Sequence, residues 1–335
     1  MSKCNNDAEN RSIFALCYYL NTIFYFINVF ILFIKTMKKV SFIVVALMGM
    51  LVAGCNQSDE QFENANAGPI APVRVHVDGF SVSHEDFSGT QTRATKDVAA
   101  YSGVNAVTLA FYSGSTEKYK ATQLKTDAST YTTFGSFSLS LPMGSYTMVV
   151  LAYNNSDASP LTLTSPTVAA YTGTRAYETF AYTQAVNITG NSAVDISAVL
   201  DRIVSSLNVI STDGKTADVT NVRMTFSAGG KDFNPTTGFA ITNTGFANTV
   251  GNSAAVGSTS TSLSYLFLAS DEQTMNVTIE TLDADGAVLF SKTVNNVPFK
   301  RNRITKLTGA MYTNTSTSGV FQVETGWLTD ENMNF

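Results

Sequence analysis

The fold class of this chain of 335 residues is decided by the stretch Val73-Arg74-Val75-His76-Val77-Asp78-Gly79-Phe80-Ser81-Val82. Apolar and polar residues alternate as far as Val77, which is the period-two pattern of a β-strand with one buried face. The apolar phase then shifts at Asp78-Gly79, as a β-bulge requires. We therefore predict a bulged strand, whose inward-facing residues are Val73, Val75, Val77, Phe80 and Val82.

Similar runs continue towards the C-terminus, rich in Val, Thr, Phe and Tyr and separated by Gly, Asn, Asp and Ser. They predict strands at residues 107–112, 134–141, 146–153, 180–188, 206–211, 221–227, 262–268, 275–282, 287–294 and 319–324. Asp213-Gly214 and Asp285-Gly286 each predict a tight hairpin, because both turn residues adopt positive φ at low cost. Many short strands with regular turns are typical of an all-β protein built from β-sandwiches.

Two tandem sandwiches fit the length of the chain, since domains usually contain about 100–150 residues. We place their boundary near Asp195, which gives an N-terminal sandwich over residues 71–195 and a C-terminal sandwich over residues 196–335. Residues 193–203, at this boundary, fit either a short helical turn or a strand that enters a new sheet.

The region before the first strand has the pattern of an exported lipoprotein. Lys38-Lys39 precedes an apolar run that ends in Leu51-Val52-Ala53-Gly54-Cys55, which resembles a bacterial lipobox. We expect a signal peptide over residues 37–54, lipidation of Cys55 and a polar tether over residues 55–70. The alternative is an ordinary signal peptide, or a membrane helix, that ends in cysteine.

Residues 1–36 contain a second apolar run, Ile13 to Ile34, that is long enough to span a bilayer. Met37 follows it almost directly and opens a complete signal peptide. The simplest interpretation is that translation starts at Met37 and that residues 1–36 are an over-extended reading frame. The alternative is an extra hydrophobic segment.

Composition excludes several classes of function. The net charge is −5 and only 14% of residues are charged, with no basic patch, which argues against a nucleic-acid partner. His76 and His84 have no further histidine or cysteine at metal-ligand spacing. Because catalytic and phosphate-binding motifs are also missing from the sequence, we expect neither a cofactor nor an enzyme, although a glycosidase could hold its two carboxylates far apart in the chain.

Three further segments, taken in order with the lipobox, carry a family resemblance. They are Thr92-Arg93-Ala94-Thr95, Leu200-Asp201-Arg202-Ile203-Val204-Ser205-Ser206-Leu207 and Val297-Pro298-Phe299-Lys300-Arg301-Asn302-Arg303-Ile304-Thr305-Lys306-Leu307-Thr308-Gly309. The chain thereby resembles the fimbrillin superfamily of Bacteroidales, the subunits and associated lipoproteins of type V pili. The resemblance implies two transthyretin-like β-sandwiches, a location at the outer membrane, cell surface or fimbrium, and assembly with other fimbrial subunits by strand exchange.

The resemblance also implies a processing site. A trypsin-like protease would cut after Arg93, in the polar loop that follows the first strand, and leave Ala94 as the new N-terminus. The first strand would then leave, and a strand from a neighbour would fill its groove. Arg74 is a competing site that the strand should protect, and Arg93 can also be a solvated loop arginine without a role.

The donor strand is expected near the C-terminus, where apolar side chains alternate in Phe321, Val323, Thr325 and Trp327 and Leu328 follows. The alternative is that Phe321 and Val323 belong to the last strand of the second sandwich and close its own core, with residues 328–335 as the donor portion. A different class of function is a monomeric surface lipoprotein that binds a glycan or a host ligand. Exposed aromatic rings would mark it. Tyr171, Tyr177 and Tyr182 stand in loop-like stretches, but core packing and strand propensity explain them equally well.

Overall fold

The computed structural model describes residues 68–85, 91–313 and 322–326. The predicted leader, Cys55 and most of the tether lie outside the described residues, as do Phe321, Trp327 and Leu328. Over the described ranges the chain is almost entirely β-structure, with one short 3-10 helix at Lys125–Thr130. The predicted all-β fold class is confirmed.

All but three of the described strands have ten residues or fewer, the exceptions being the first and the pair that forms the last long hairpin. In order they are β1 (Ile70–Glu85), β2 (Gln91–Lys96), β3 (Ala106–Ser113), β4 (Thr116–Leu124), β5 (Ser136–Pro142), β6 (Gly144–Tyr153), β7 (Leu161–Ser165), β8 (Val168–Tyr171), β9 (Thr179–Ile188), β10 (Val194–Arg202), β11 (Ser205–Ser211), β12 (Asn221–Phe226), β13 (Asp232–Phe233), β14 (Phe246–Gly251), β15 (Thr261–Leu266), β16 (Glu272–Leu282), β17 (Val288–Lys300), β18 (Ile304–Gly309) and β19 (Gln322–Gly326).

The first half of the chain forms a sheet in the order β2-β1-β10-β9-β6-β3-β4, with β5 paired to β1. Strands β9 and β10 share only two residue pairs, at Phe180–Arg202 and Ala181–Asp201. Away from this join, the apolar faces of β1, β5 and β10 pack against those of β3, β6 and β9 around one buried core. Burial of this apolar surface is the main force that holds the two layers together.

The second half forms two four-stranded sheets, in the orders β15-β11-β18-β19 and β14-β12-β16-β17. Alternate side chains of both sheets point into a second core, as the period-two patterns of β12 and β16 predict. Its largest members include Phe226, Met224 and Phe299.

A third core joins the two halves. Strand β3 is buried on both faces: Leu109 and Phe111 face the first core, and Ala110 and Tyr112 face the third. The small sheet β13-β8-β7 and the ring of Phe267 cover the third core from the other side. Two-sided burial explains why β3 contains so few polar residues.

Residues 194–202 are a strand rather than a helical turn, and this strand belongs to the first sheet. Because β10 pairs with β1 and β9, the predicted boundary at Asp195 falls within a strand of the first half. The chain passes to the second pair of sheets at Ile203-Val204. Whether the two halves are separate folding domains stays a prediction.

The two Asp-Gly dipeptides have different outcomes. Asp285-Gly286 connects β16 and β17 in the expected hairpin, with Gly286 at a φ of 83°. The hairpin predicted at Asp213-Gly214 is wrong, because β11 pairs with β15 and β18 rather than with the following strand.

Asp213 instead fixes the segment that follows β18. Its carboxylate accepts hydrogen bonds from the backbone N–H groups of Met311, Tyr312 and Thr313, each at 2.8 Å, and from the Thr313 hydroxyl at 2.9 Å. Burial raises the pKa of Asp213, but these four hydrogen bonds outweigh it and hold the pKa below its usual value of 3.8.

We predict that Asp213→Asn lowers the free energy of unfolding by about 1–2 kcal/mol at pH 7, a figure reduced because the carboxylate is partly exposed. A depressed folded-state pKa stabilises the fold above the unfolded value and ceases to do so as the pH falls through the folded value. The difference between wild type and variant should therefore shrink below pH 3.8. Urea denaturation at several pH values tests this, with Asp285→Asn, in an exposed turn, as the control. A difference that does not change with pH would contradict the assignment.

Candidate functional site

The first strand lies inside its sheet and is hydrogen-bonded along both edges. One edge pairs in parallel with β10, from Val73–Val194 to Ser81–Asp201. The other edge pairs antiparallel, first with β5 at residues 70–76 and then with β2 at residues 80–85. Removal of β1 would therefore leave the backbone groups of three strands without partners. We call this position, bounded by β10, β5 and β2, the β1 seat.

The side chains of the strand are buried on one face as predicted. Val73, Val75, Val77 and Phe80 are at most 2% exposed, and the register shifts between Val77 and Gly79 where the bulge was expected. Each fully buried side chain of this size contributes about 1.5–3 kcal/mol. Val82 pairs with Ala94 in the backbone ladder, and its side chain lies outside the described part of the structure.

The outer face of β1 is held weakly by comparison. Arg74 forms an ion pair with Asp195 at 3.1 Å, and His76 Nδ1 lies 2.7 Å from the Ser136 hydroxyl oxygen, all among exposed side chains. Exposed ion pairs contribute little to stability. The buried face and the two ladders therefore hold β1 in its seat.

Phe80 ends the buried face in an aromatic cluster. Its ring stacks on Phe180 with the centroids 4.3 Å apart, and meets Tyr101 edge to face at 5.3 Å. The guanidinium of Arg202 lies over the Phe180 ring, 5.1 Å from its centroid. Aromatic pairs in such geometries contribute about 0.5–1.5 kcal/mol beyond their buried area.

Arg202 connects this cluster to a buried ionic group. Its Nη2 atom lies 2.8 Å from Glu178 Oε1 and donates to the Tyr101 hydroxyl at 2.8 Å, while that hydroxyl donates to Glu178 at 2.7 Å. The side chains of Arg202 and Glu178 are 1% and 5% exposed. Arg202 Nη1 also donates to Asn302 Oδ1, in the β17–β18 turn, at 3.1 Å.

Sequence reasoning placed Arg202 in a family-like segment but missed Tyr101 and Glu178. Neither residue stands in a motif or at a telling spacing, and the two are 77 positions apart. The partners of a buried charge come from tertiary structure, which pattern reading along one chain does not reveal.

Arg93 and Ala94 lie in β2, where they pair with Ser83 and Val82 of β1. The prediction that they occupy a loop is therefore wrong. Strand β2 stands at the end of the sheet order and is paired only with β1 among the described strands. Edge strands open more readily than central ones, so a protease would need only local fraying. Cleavage after Arg93 stays a prediction.

The C-terminal segment is not brought to the β1 seat within the described structure. Strand β19 pairs with β18 in the second half, where Val323 is opposite Leu307. It is the outermost strand of its sheet, next to β18. This matches the expectation of a last strand in the second sandwich. A donor role for Phe321, Val323, Trp327 and Leu328 stays a prediction.

The three tyrosines proposed as a glycan platform are not fully exposed. Tyr171 is 2% exposed and hydrogen-bonded to the Thr179 hydroxyl at 2.8 Å, and burial raises its pKa. Tyr177 and Tyr182 are half-buried. Tyr171 therefore serves core packing, which is one of the two alternatives that the sequence left open for it.

Residues 68–85, 91–313 and 322–326 contain neither a metal-binding cluster nor a membrane-spanning helix. No group of three or more His, Cys, Asp or Glu side chains in these ranges could hold a metal ion. In the same ranges, no helix has the length and apolar character needed to cross a membrane.

The fold and the β1 seat define an all-β sandwich protein whose first strand is buried between neighbours on both edges. Residues 79–333 match a family model described as a family of unknown function (DUF6562), and the chain belongs to that family. No curated protein matches the sequence.

Several solved structures are similar at low identity. A Bacteroides ovatus protein proposed to be an adhesin is 11% identical, over 73% of this chain and 87% of its own, with a TM-score of 0.44. The fimbrial anchor protein Mfa2 from Porphyromonas gingivalis is 10% identical, over 77% of this chain and 98% of its own, with a TM-score of 0.44. A DUF1812 protein from Bacteroides thetaiotaomicron, proposed to bind polysaccharide, is 10% identical over 78% and 99%, with a TM-score of 0.40.

We predict that Arg202→Met lowers the free energy of unfolding by about 3–5 kcal/mol, because it leaves the buried Glu178 carboxylate without its cation. Adding Glu178→Gln should recover part of this loss, since the uncompensated charge is then removed. Urea denaturation at pH 7 measures both. Arg74→Met is the control, because its exposed ion pair should contribute less than about 1 kcal/mol. Equal losses from Arg202→Met and Arg74→Met would contradict the role of burial.

Proposed function

We propose that this protein is a structural or adhesive subunit of a type V-like cell-surface fimbria, exported as a lipoprotein and assembled by β-strand exchange. The β1 seat is the observation that carries the proposal. The first strand of the fold has five buried apolar side chains, those of Ala71, Val73, Val75, Val77 and Phe80, and two hydrogen-bonded edges. A fold closed by a terminal strand of this kind can be closed equally by a strand from another chain.

The seat has both properties that strand addition needs. Strands β10, β5 and β2 offer backbone groups on either side of it, which would give an incoming strand its affinity. The positions of Val73, Val75, Val77 and Phe80 are pockets for alternate side chains, which would fix its register. An empty seat would expose this apolar surface to water, so an unfilled subunit would be unstable and prone to associate.

Release of β1 needs a break in the covalent chain. A cut after Arg93 by a trypsin-like protease would divide β2 and leave Ala94 as the new N-terminus, so that β1 departs with the first residues of β2. Lipidation of Cys55 would hold the precursor at the outer membrane until then. A subunit that is not cut would keep β1 and its lipid, as an anchor does.

The donor in this proposal is the C-terminal segment of another subunit, in which Phe321, Val323 and Trp327 share the face that enters the seat and Leu328 continues the strand. The position of β19 supports this, because detaching it breaks the β18 ladder alone among the described pairings. The Asp213 hydrogen bonds hold residues 311–313 on the second sandwich and would limit what is lost when β19 leaves.

We predict that a disulfide fixing β1 to β5 prevents assembly. Arg74 and Ser138 are paired across the antiparallel ladder on the exposed face, so Arg74→Cys with Ser138→Cys can form a disulfide and leave the core unchanged. The oxidised protein should stay as single subunits, and a reductant should restore detergent-resistant assemblies on unheated gels. Thr278→Cys with Thr293→Cys fixes β16 to β17 in the same way and should assemble under both conditions. Assembly of the oxidised β1–β5 variant would refute strand exchange at this seat.

We also predict that Arg93→Ala abolishes a start at Ala94. N-terminal sequencing and intact mass of protein from the cell surface should show Ala94 in the wild type and retention of β1 in the variant. Arg74→Ala is the matched control and should be processed normally, because Arg74 lies within the doubly paired part of β1. Normal processing and assembly of Arg93→Ala would rule out this cleavage site.

A further inference from the structure

Arg202, Glu178 and Tyr101 form a buried group that we call the Arg202 cluster. A cleft with a volume of about 590 Å³ lies beside it, where the first sheet meets the second half of the chain. Its walls come from β9, from the end of β10, from the loop at residues 235–238 and from the β17–β18 turn. The volume is within the range of small-molecule sites. No described residue that lines the cleft belongs to β1.

Arg301 is a fixed hydrogen-bond donor in the wall of this cleft. Its Nη2 atom lies 2.6 Å from Asp271 Oδ1, and its Nη1 atom donates a hydrogen bond to the Thr237 carbonyl at 2.8 Å. Its Cζ atom lies over the Phe239 ring, 4.7 Å from the ring centroid. The side chain is still 30% exposed. A guanidinium held by three contacts loses little conformational entropy when it binds a ligand.

The wall is shaped by a glycine. Gly238 has a φ of +75°, and a Cβ atom there would lie 2.8 Å from Ile203 Cγ2 and 3.0 Å from Arg301 Nη1. A larger residue would therefore displace Arg301 or Ile203 and would also be strained in its backbone. Only glycine lets the loop approach this closely while Arg301 keeps its contacts.

Asp201 supplies an acceptor in the same cleft. It is exposed at the end of β10, and its carboxylate has neither a hydrogen bond nor an ion pair within the described ranges. Thr183, Thr236 and Thr237 also line the cleft. The cleft thus offers carboxylate, guanidinium and hydroxyl-bearing side chains together.

The charges select the class of ligand. The carboxylates of Glu178 and Asp271 offset the guanidinium groups of Arg202 and Arg301, so the carboxylate of Asp201 is left over and disfavours an anion. The ligand must offer a hydrogen-bond donor to Asp201 and an acceptor to Arg301. A neutral ligand whose groups both donate and accept hydrogen bonds fits best, and hydroxyl groups have this property.

We propose that this cleft binds a neutral carbohydrate, with sugar hydroxyls donating to Asp201 and accepting from Arg301. Binding here does not depend on strand exchange. The cleft gives the protein a ligand site whose walls come from both halves of the chain.

The test is isothermal titration of the full chain in detergent with lactose, maltotriose, cellotriose, mannotriose and tri-N-acetylchitotriose. At least one should bind saturably, and Asp201→Asn should weaken that binding about ten- to a hundred-fold, the cost of one hydrogen bond to a charged group. Asp285→Asn, a control in an exposed turn, should bind as the wild type does. The oxidised β1–β5 variant should also bind, which separates this test from that of strand exchange.

Three results would overturn the proposal. They are a lack of saturable binding across the panel, binding that Asp201→Asn leaves unchanged, and binding of trilysine, lost in Asp201→Asn, in place of any sugar. The last would make the cleft a site for basic peptides. Because Asp201 is exposed, its variant should fold, and a urea denaturation curve matching the wild type checks this.

Discussion

The rest of this structure depends on one strand that is hydrogen-bonded to neighbours along both of its edges. Strand β1 is the first described element, yet it lies between β10 and the pair β5 and β2. Its valines and Phe80 fill the first core from one layer while β3, β6 and β9 fill it from the other. The same segment must therefore complete the hydrogen bonds along two edges and fill the apolar core with one face. Any strand that replaces β1 must do all three.

The Arg202 cluster extends this constraint beyond the first sheet. Phe80 of β1 packs on Phe180, the guanidinium of Arg202 lies on the same ring, and Arg202 also bonds to Asn302 in the β17–β18 turn. Loss of Phe80 would expose the ring that covers one face of the guanidinium. Water would then reach the Arg202–Glu178 pair and weaken it. The occupant of the β1 seat thus affects the packing between the two halves of the chain.

The sequence predicted the strands that have one buried face and failed where tertiary contacts decide. Alternation located β1, its bulge and most strands of both cores, because burial of one face imposes period two. Strands β4, β7, β8, β13 and β14 were missed. Strand β4 is mostly exposed and polar, β7, β8 and β13 have five residues or fewer, and β14 contains few large apolar residues. The turn expected at Asp213 failed because its carboxylate bonds to residues about a hundred positions away.

In the candidate site, too, some features followed from the local pattern and others depended on tertiary pairing. The inward face of β1 followed from its pattern, whereas the loop predicted at Arg93 is a strand because β2 pairs with the polar end of β1. The boundary at Asp195 was predicted from typical domain size. It falls within β10 because the order of the strands in the sheet differs from their order in the chain. Strand β10 follows β9 in the chain yet carries β1 as its parallel neighbour. Parallel pairing joins segments about 120 residues apart, and no local signal marks such a partner.

The β1 seat and the cleft share β10 but use different parts of it. The backbone of β10 forms the ladder with β1 along residues 194–201, whereas the cleft takes the side chains of Asp201 and Arg202 at the end of the strand. A foreign strand that reproduces the β1 ladder would hold β10 in place and leave the lining of the cleft intact. A strand that lacks a large apolar side chain at the position of Phe80 would disturb the cleft through Phe180 and Arg202. Assembly and ligand binding therefore use different residues. The ring of Phe180, which contacts both Phe80 and Arg202, is the contact through which one can affect the other.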